Sequence, residues 1–235
     1  MKIYWTKIAD VIEETPETKT YVLECPEDFT WEEGAHTHLA LEGFNAGERP
    51  DRTLIRHMSI CTLPGENMIG ITTRIRKECS EFKQRLDDLP VGGSVALFKT
   101  HSNVPLRREG RPVYLLSSGV GLATFRPLVL DFFNNPGKVD KVHSVNIDSS
   151  KDYLYPDFFV QDENKRFFSE FYDNRTGYYD RVKTLAEDKD GLYYIVGSDE
   201  FLSQNIKLLC DAGIRSEQIM LDKHEDRKRA MIEYC

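Results

Sequence analysis

The chain has 235 residues, 31 Lys and Arg against 39 Asp and Glu, and a net charge of −8. The acidic excess excludes sequence-independent binding to nucleic acid or anionic lipid, both of which need a positive field. With 40% hydrophobic and 30% charged residues, the composition is that of a globular protein, and at roughly 150 residues per domain the length spans one to two domains.

A chain of this size buries roughly 70% of its unfolded surface and needs no disulfide or metal staple. The opening MKIYWTKIADVIEE breaks its apolar run at Thr6 and Lys7, so it lacks the roughly 7 to 15 residue apolar core of a secretory signal. The longest apolar stretch, Val113 to Leu130, is interrupted by Ser117, Ser118, Thr124 and Arg126 and falls short of the roughly 20 residues of a membrane helix. A cytoplasmic protein without a membrane span is expected. Cys25, Cys61, Cys79, Cys210 and Cys235 form no CxxC pair; they are expected to be reduced and mostly buried, with Cys235 exposed.

From Met1 to about Lys99, short β-type runs recur between turn residues: Ile3 to Ile8, Thr18 to Glu24, His36 to Leu41, Arg56 to Cys61, Met68 to Arg76 and Ser94 to Lys99. Six strands so spaced predict a small antiparallel barrel. One helix is inserted late, SEFKQRLDDL, with Ser80 as N-cap and Phe82, Leu86 and Leu89 on one face. The polar segment Thr100 to Gly110 marks the boundary, giving domains 1–105 and 106–235.

Beyond Pro112, strands alternate with helices. PVYLLS, KVHSVNI, LYYIVG and QIML read as strands; GVGLATFRPLVLDFF, Asp180 to Glu187 and EFLSQNIKLLCDA, capped by Gly213, read as helices. This alternation predicts a mostly parallel sheet with helices on both sides. The fold class is therefore a two-domain one, an antiparallel β-barrel followed by an α/β parallel-sheet domain.

Three local patterns carry chemistry. Gly119-Val120-Gly121 lies directly between a strand and a helix, where glycines admit a pyrophosphate to the helix N-terminus; Thr124 replaces the third glycine of the usual fingerprint, and a plain tight turn explains the pair equally well. On the strand containing Arg56-His57-Met58-Ser59, period two puts Arg56 and Met58 on one face and His57 and Ser59 on the other, so a guanidinium and a thioether could meet one ligand; a surface arginine beside a core methionine is the plainer alternative. Cys79-Ser80 opens a helix as a phosphate cradle or as simple capping. His36 and His38 share a strand face but lack a third metal ligand nearby, so a structural role is expected.

Order and spacing together resemble the ferredoxin–NADP reductase family of flavoproteins over nearly the whole chain. Gly34 resembles the glycine that opens a barrel strand there. The resemblance implies that Arg56 pairs with the FAD pyrophosphate, that Ser59 lies near flavin N5 as the catalytic position, that His57 and Met58 belong to the same flavin motif, and that Cys79 and Ser80 hold phosphate through backbone amides. Gly119, Gly121 and Thr124, followed by Phe125-Arg126-Pro127, resemble the nicotinamide-cofactor motif. Val196-Gly197-Ser198 resembles a later CGP segment, making Gly197 a cofactor contact. Met58 stands where the family usually has a stacking tyrosine, and Val196 where it often has a cysteine. The chain also runs past its last strand, residues 223–235, where many relatives stop; Tyr234 could fold over the flavin, and a frayed tail is the plainer expectation.

The implied activity is hydride transfer from NADH or NADPH to FAD, with electrons passed to a separate acceptor protein or small molecule. After KVHSVNI, Asp148 suits a ribose 2′-hydroxyl, whereas Ser149, Ser150 and Lys151 suit a 2′-phosphate; the balance leans to NADH. The alternative is a nucleotide-binding electron-transfer or regulatory subunit that docks on a partner without turnover of its own.

Overall fold

A computed structural model describes residues 2–159 and 166–232; the expectations for Tyr234 and Cys235 lie outside the described residues. The chain forms two compact units, Met1–Pro105 with Arg126–Leu128, and Leu106–Phe125 with Val129–Cys235.

The first unit contains β1 (Tyr4–Thr15), β2 (Thr18–Glu24), β3 (Ala35–Leu41), β4 (Ile55–Ser59), β5 (Met68–Arg74), α1 (Glu81–Asp87) and β6 (Ser94–Ser102). All pairings are antiparallel, in the order β4-β3-β6-β1-β2-β5. Just beyond β4, the Cys61 amide donates to the Gly70 carbonyl of β5 at 2.9 Å, so the two edge strands meet and the sheet curls into a barrel.

Two strands run further than their sequence patterns predict. β1 continues past Ile8 because an irregularity between Ile8 and Asp10 turns it from β6, paired with Tyr4 to Lys7, onto β2. One strand thus serves two neighbours and makes a corner. β6 continues past Lys99, which adopts φ +53° beside a register shift opposite His36 and His38. The barrel interior is filled by side chains such as Leu23, Leu39, Ile71 and Leu97, and α1 adds Phe82 and Leu86 to the same core. Ser80 takes the N-cap position in extended conformation, but its hydroxyl makes no capping bond; the expected cap is positional only.

The second unit contains β7 (Val113–Ser118), α2 (Leu122–Asn134), β8 (Val142–Ile147), β9 (Phe167–Tyr172), α3 (Arg175–Leu185), β10 (Leu192–Val196), α4 (Asp199–Asp211), β11 (Ile219–Leu221) and α5 (Glu225–Ile232). The five strands are parallel, in the order β11-β10-β7-β8-β9. Helices cover both faces. Tyr178 and Val182 of α3 and Leu202, Ile206 and Leu209 of α4 pack with Tyr114, Leu116, Val145 and Tyr193. Phe167 pairs in register with Val142, three residues from Val145 and so on the opposite face; there it meets Phe133 of α2 edge-on at 5.2 Å. α4 is capped by the Ser198 hydroxyl, which accepts from the Phe201 amide at 3.3 Å, and Gly213, just past its C-cap, has φ +84°.

Neither β9 nor α5 is apparent from sequence periodicity. Among the cysteines, Cys25, Cys61 and Cys79 are free thiols, whereas Cys210 is disulfide-bonded, which corrects the expectation of uniformly reduced cysteines. No helix among the described residues is long and apolar enough to cross a membrane.

Candidate functional site

In a parallel sheet wound in two directions, the loops leaving the strands diverge where the winding reverses, and a crevice opens at the carboxyl edge. Here the chain starts at β7, proceeds outward through β8 and β9, and returns to β10 on the other side, so the reversal lies between β7 and β10. The turn leaving β7 is Gly119–Gly121, a 3-10 turn that leads into α2; the turn leaving β10 is Val196-Gly197-Ser198, which leads into α4.

The two turns touch. A Cβ on Gly121 would stand 2.7 Å from the Val196 carbonyl oxygen, and one on Gly197 would stand 2.6 Å from the Ser118 hydroxyl. Gly121 is therefore required by backbone packing between the turns, whatever lies above them. Beneath them, the buried Asn146 of β8 donates to the Ser117 hydroxyl at 2.9 Å and to the Gly119 carbonyl at 3.3 Å. That amide fixes the direction of the Gly119 peptide and was not singled out by any sequence motif. Thr124 is buried in the first turn of α2.

Asp148 leaves β8 at the same edge and is buried. Its amide donates to the Tyr172 carbonyl at 2.9 Å, and its carboxylate accepts from the Ser150 amide at 3.0 Å and hydroxyl at 2.8 Å. Lys151, at φ +66°, pairs with Asp173 at 2.8 Å.

In the barrel unit, the two sequence segments expected to hold flavin are neighbours. The Arg56 guanidinium lies over the Phe82 ring of α1, 5.1 Å from its centroid. Its Nη1 donates to the carbonyls of Arg52, Thr53 and Ile55 at 3.2, 3.2 and 2.7 Å, which orients the fork. Lys83 of α1 donates to the Arg74 carbonyl at 2.7 Å. Burial lowers the pKa of this lysine; the Cys79 thiol opposes that, and the Arg74, Arg76 and Arg56 guanidiniums lower it further. Two cations from different elements, Arg56 of β4 and Lys83 of α1, thus stand near the start of α1 in a protein whose net charge is −8. That donor set fits a diphosphate, whose charge would relieve their mutual repulsion. Arg74 and Lys83 were missed in the sequence because they come from different elements; the basic Arg74-Ile75-Arg76-Lys77 run could have marked Arg74, and no local signal marks Lys83.

α1 is tied down at its far end. Asp87 accepts from Lys19 at 2.6 Å and from the Tyr21 hydroxyl at 2.9 Å, both on β2. Met58 is half-buried and packs against the barrel core. Ser59 stands opposite His36 in the β3–β4 register, and His57 opposite His38. The His36 ring lies 3.8 Å from that of His57 and 4.0 Å from that of His101, with His38 5.2 Å from His57. His57 and Ser59 thus share the face of this histidine patch. Among the described residues, no group of three or more His, Cys, Asp and Glu side chains is placed to hold a metal ion.

This combination of an antiparallel six-stranded barrel and a five-stranded parallel α/β unit is the ferredoxin reductase-like fold. The chain is similar to a ferredoxin NADP+ reductase from Neisseria gonorrhoeae, solved with bound FAD and NADP, at 16% identity and a TM-score of 0.78, covering 94% of this chain and 98% of that one. It is also similar to an Amycolatopsis cytochrome P450 reductase, at 15% identity and a TM-score of 0.75 over 94% of this chain and 70% of that one. Phthalate dioxygenase reductase matches at 15% identity and a TM-score of 0.73, over 93% and 67%. The sequence matches no protein-family model and no curated protein.

Proposed function

We propose that the chain is an NAD(P)H-dependent flavoprotein reductase that holds FAD on the barrel unit and a nicotinamide dinucleotide on the α/β unit, and passes electrons to a separate protein or small-molecule acceptor. The observation that carries this reading is the pair of touching turns, Gly119–Gly121 and Val196–Ser198, at the carboxyl edge where the parallel sheet reverses its winding. Solved structures of the same fold include reductases with bound FAD, NADP or NAD+.

When bound, the two cofactors would supply hydride chemistry, and the residues of each unit would hold and orient one of them. In this reading Arg56, Arg74 and Lys83 neutralise the FAD diphosphate, and the amides at Cys79 and Ser80 add neutral donors to it. Ser59 would offer its hydroxyl to the flavin ring, with His57 on the same face of β4, and Met58, on the opposite face, stands where the family has a stacking aromatic ring. The amides at the start of α2 receive the dinucleotide diphosphate, Thr124 and Gly197 border it, and Asp148 accepts from a ribose hydroxyl.

Anaerobic titration of the FAD-supplemented protein with NADH and with NADPH, followed at the flavin absorbance bands, tests this. Bleaching by either donor supports a reductase. A yellow protein that neither donor bleaches favours the docking subunit, and failure to retain FAD at all removes the flavoprotein reading.

A further inference from the structure

The dinucleotide site of the preceding proposal leaves open whether the adenosine ribose carries a 2′-phosphate, and the inference here rests on that proposal. We infer that the loop after β8 selects the unphosphorylated dinucleotide, and that Asp173 sets this selectivity by holding Lys151.

Of the three groups in this loop suited to a phosphate, Ser149, Ser150 and Lys151, the last two are engaged by carboxylates. Ser150 Oγ donates to Asp148 Oδ1 at 2.8 Å, and Lys151 Nζ pairs with Asp173 Oδ2 at 2.8 Å. Asp173 Oδ1 also accepts from Asn174 Nδ2 at 2.8 Å. These contacts hold the Asp173 carboxyl below the usual carboxylate range, the Lys151 hydrogen bond first, and the same bond raises the Lys151 pKa. Both groups are charged at neutral pH, and their 2.8 Å contact is a surface pair, Lys151 69% and Asp173 37% exposed, open to screening by salt.

The backbone fixes this arrangement. Asp148 and Asp173 follow adjacent parallel strands and leave the sheet at one edge, joined through the Asp148 amide and the Tyr172 carbonyl at 2.9 Å. Lys151 turns back toward Asp173 from a left-handed backbone conformation, φ +66°. With Asp148, Asp173 and Lys151 counted together, the loop is net acidic. A ribose 2′-hydroxyl can donate to Asp148, whereas a 2′-phosphate meets carboxylate and must first draw Lys151 away from Asp173. Asp173 acts on the ligand only through Lys151 and is a positioning residue.

The test is calorimetric titration of the FAD-supplemented full chain with NAD+ and NADP+, and with 5′-AMP and its 2′-phosphorylated form as smaller probes. NAD+ is expected to bind at least about tenfold more tightly than NADP+ at low salt, with the ratio shrinking as ionic strength screens the carboxylates. Asp173→Asn is expected to tighten NADP+ several-fold while changing NAD+ affinity far less, and Lys151→Ala to abolish that gain in the double variant. Equal or tighter binding of NADP+ by the unaltered chain, or an NAD+ to NADP+ ratio unmoved by Asp173→Asn in a variant with an unchanged melting curve, overturns the selectivity alone. Binding of neither dinucleotide nor either adenylate overturns the site itself.

Discussion

Gly121 and the Val196 carbonyl oxygen approach so closely that a Cβ on the glycine would stand 2.7 Å from that oxygen. The neighbour is backbone on β10 and cannot swing aside as a flexible side chain would. Gly121→Ala is therefore expected to push the two turns apart and cost about 1–3 kcal/mol, as overpacking does. Urea denaturation measures the loss. A rise in the apparent KM for the nicotinamide donor should accompany it, and a variant with wild-type stability would show that the contact relaxes freely.

Arg56 and Lys83 approach one place from β4 and α1, and their separate contributions can be resolved. Arg56→Ala is expected to weaken FAD retention by roughly 1.5 to 3 kcal/mol, the range for hydrogen bonds to charged groups. Arg56→Lys keeps the charge but loses the fork that donates to Arg52, Thr53 and Ile55, so it should recover only part of that loss. Lys83→Met keeps the buried stem while removing the ammonium, and should weaken FAD with little loss of fold stability. Fluorescence titration of the apoprotein with FAD reads all three, and unchanged affinity in Arg56→Ala and Lys83→Met together would remove the diphosphate from this position.

Two histidines, His38 of the barrel patch and His143 of β8, give the fold a pH response. Burial, then Lys99, His36 and His101, lower the pKa of His38 below its ordinary 6.5, and burial lowers that of His143 against the opposing effect of Glu170. Between the lowered values and 6.5 the unfolded chain binds more protons than the folded one. Stability is then full above about pH 6.5 and declines as pH falls through the folded-state values. Denaturation free energies measured from about pH 8 down to about pH 5 should show this slope, and His38→Asn should flatten it in part, leaving the share of His143.

How much of this was legible in the sequence depends on whether a signal was local. β2 is bounded in the sequence as in the structure, Thr18–Glu24, because turn residues flank it on both sides. β9 escaped notice because FFSEFY is an edge strand with only Phe167 fully buried, and so carries no inside–outside alternation. α5 escaped because EDRKRAMI has no apolar stripe to show a helical period. The GxG turn and Arg56 stood out as motif fragments. Asn146, Lys83 and the Lys151–Asp173 pair did not, since each acquires its meaning only from a residue on another element.

Asn146 offers a test of how firmly the Gly119 turn must be held. Its side chain is buried at the carboxyl end of β8 and donates both to Ser117 Oγ and to the Gly119 carbonyl. Asn146→Ala leaves those acceptors without their donor in a dry site and should cost roughly 1–3 kcal/mol. Asn146→Asp is close to isosteric but sets a carboxylate oxygen against the Gly119 carbonyl, so it should cost more than the alanine and do so increasingly as pH rises and the acid ionises. If the turn serves the nicotinamide dinucleotide, both variants should also weaken its binding in calorimetry, by more than either alters FAD retention on the other unit. Equal stability of the aspartate and asparagine proteins at neutral pH would mean that the Gly119 peptide turns freely, and that the rigidity assigned to this turn lies elsewhere.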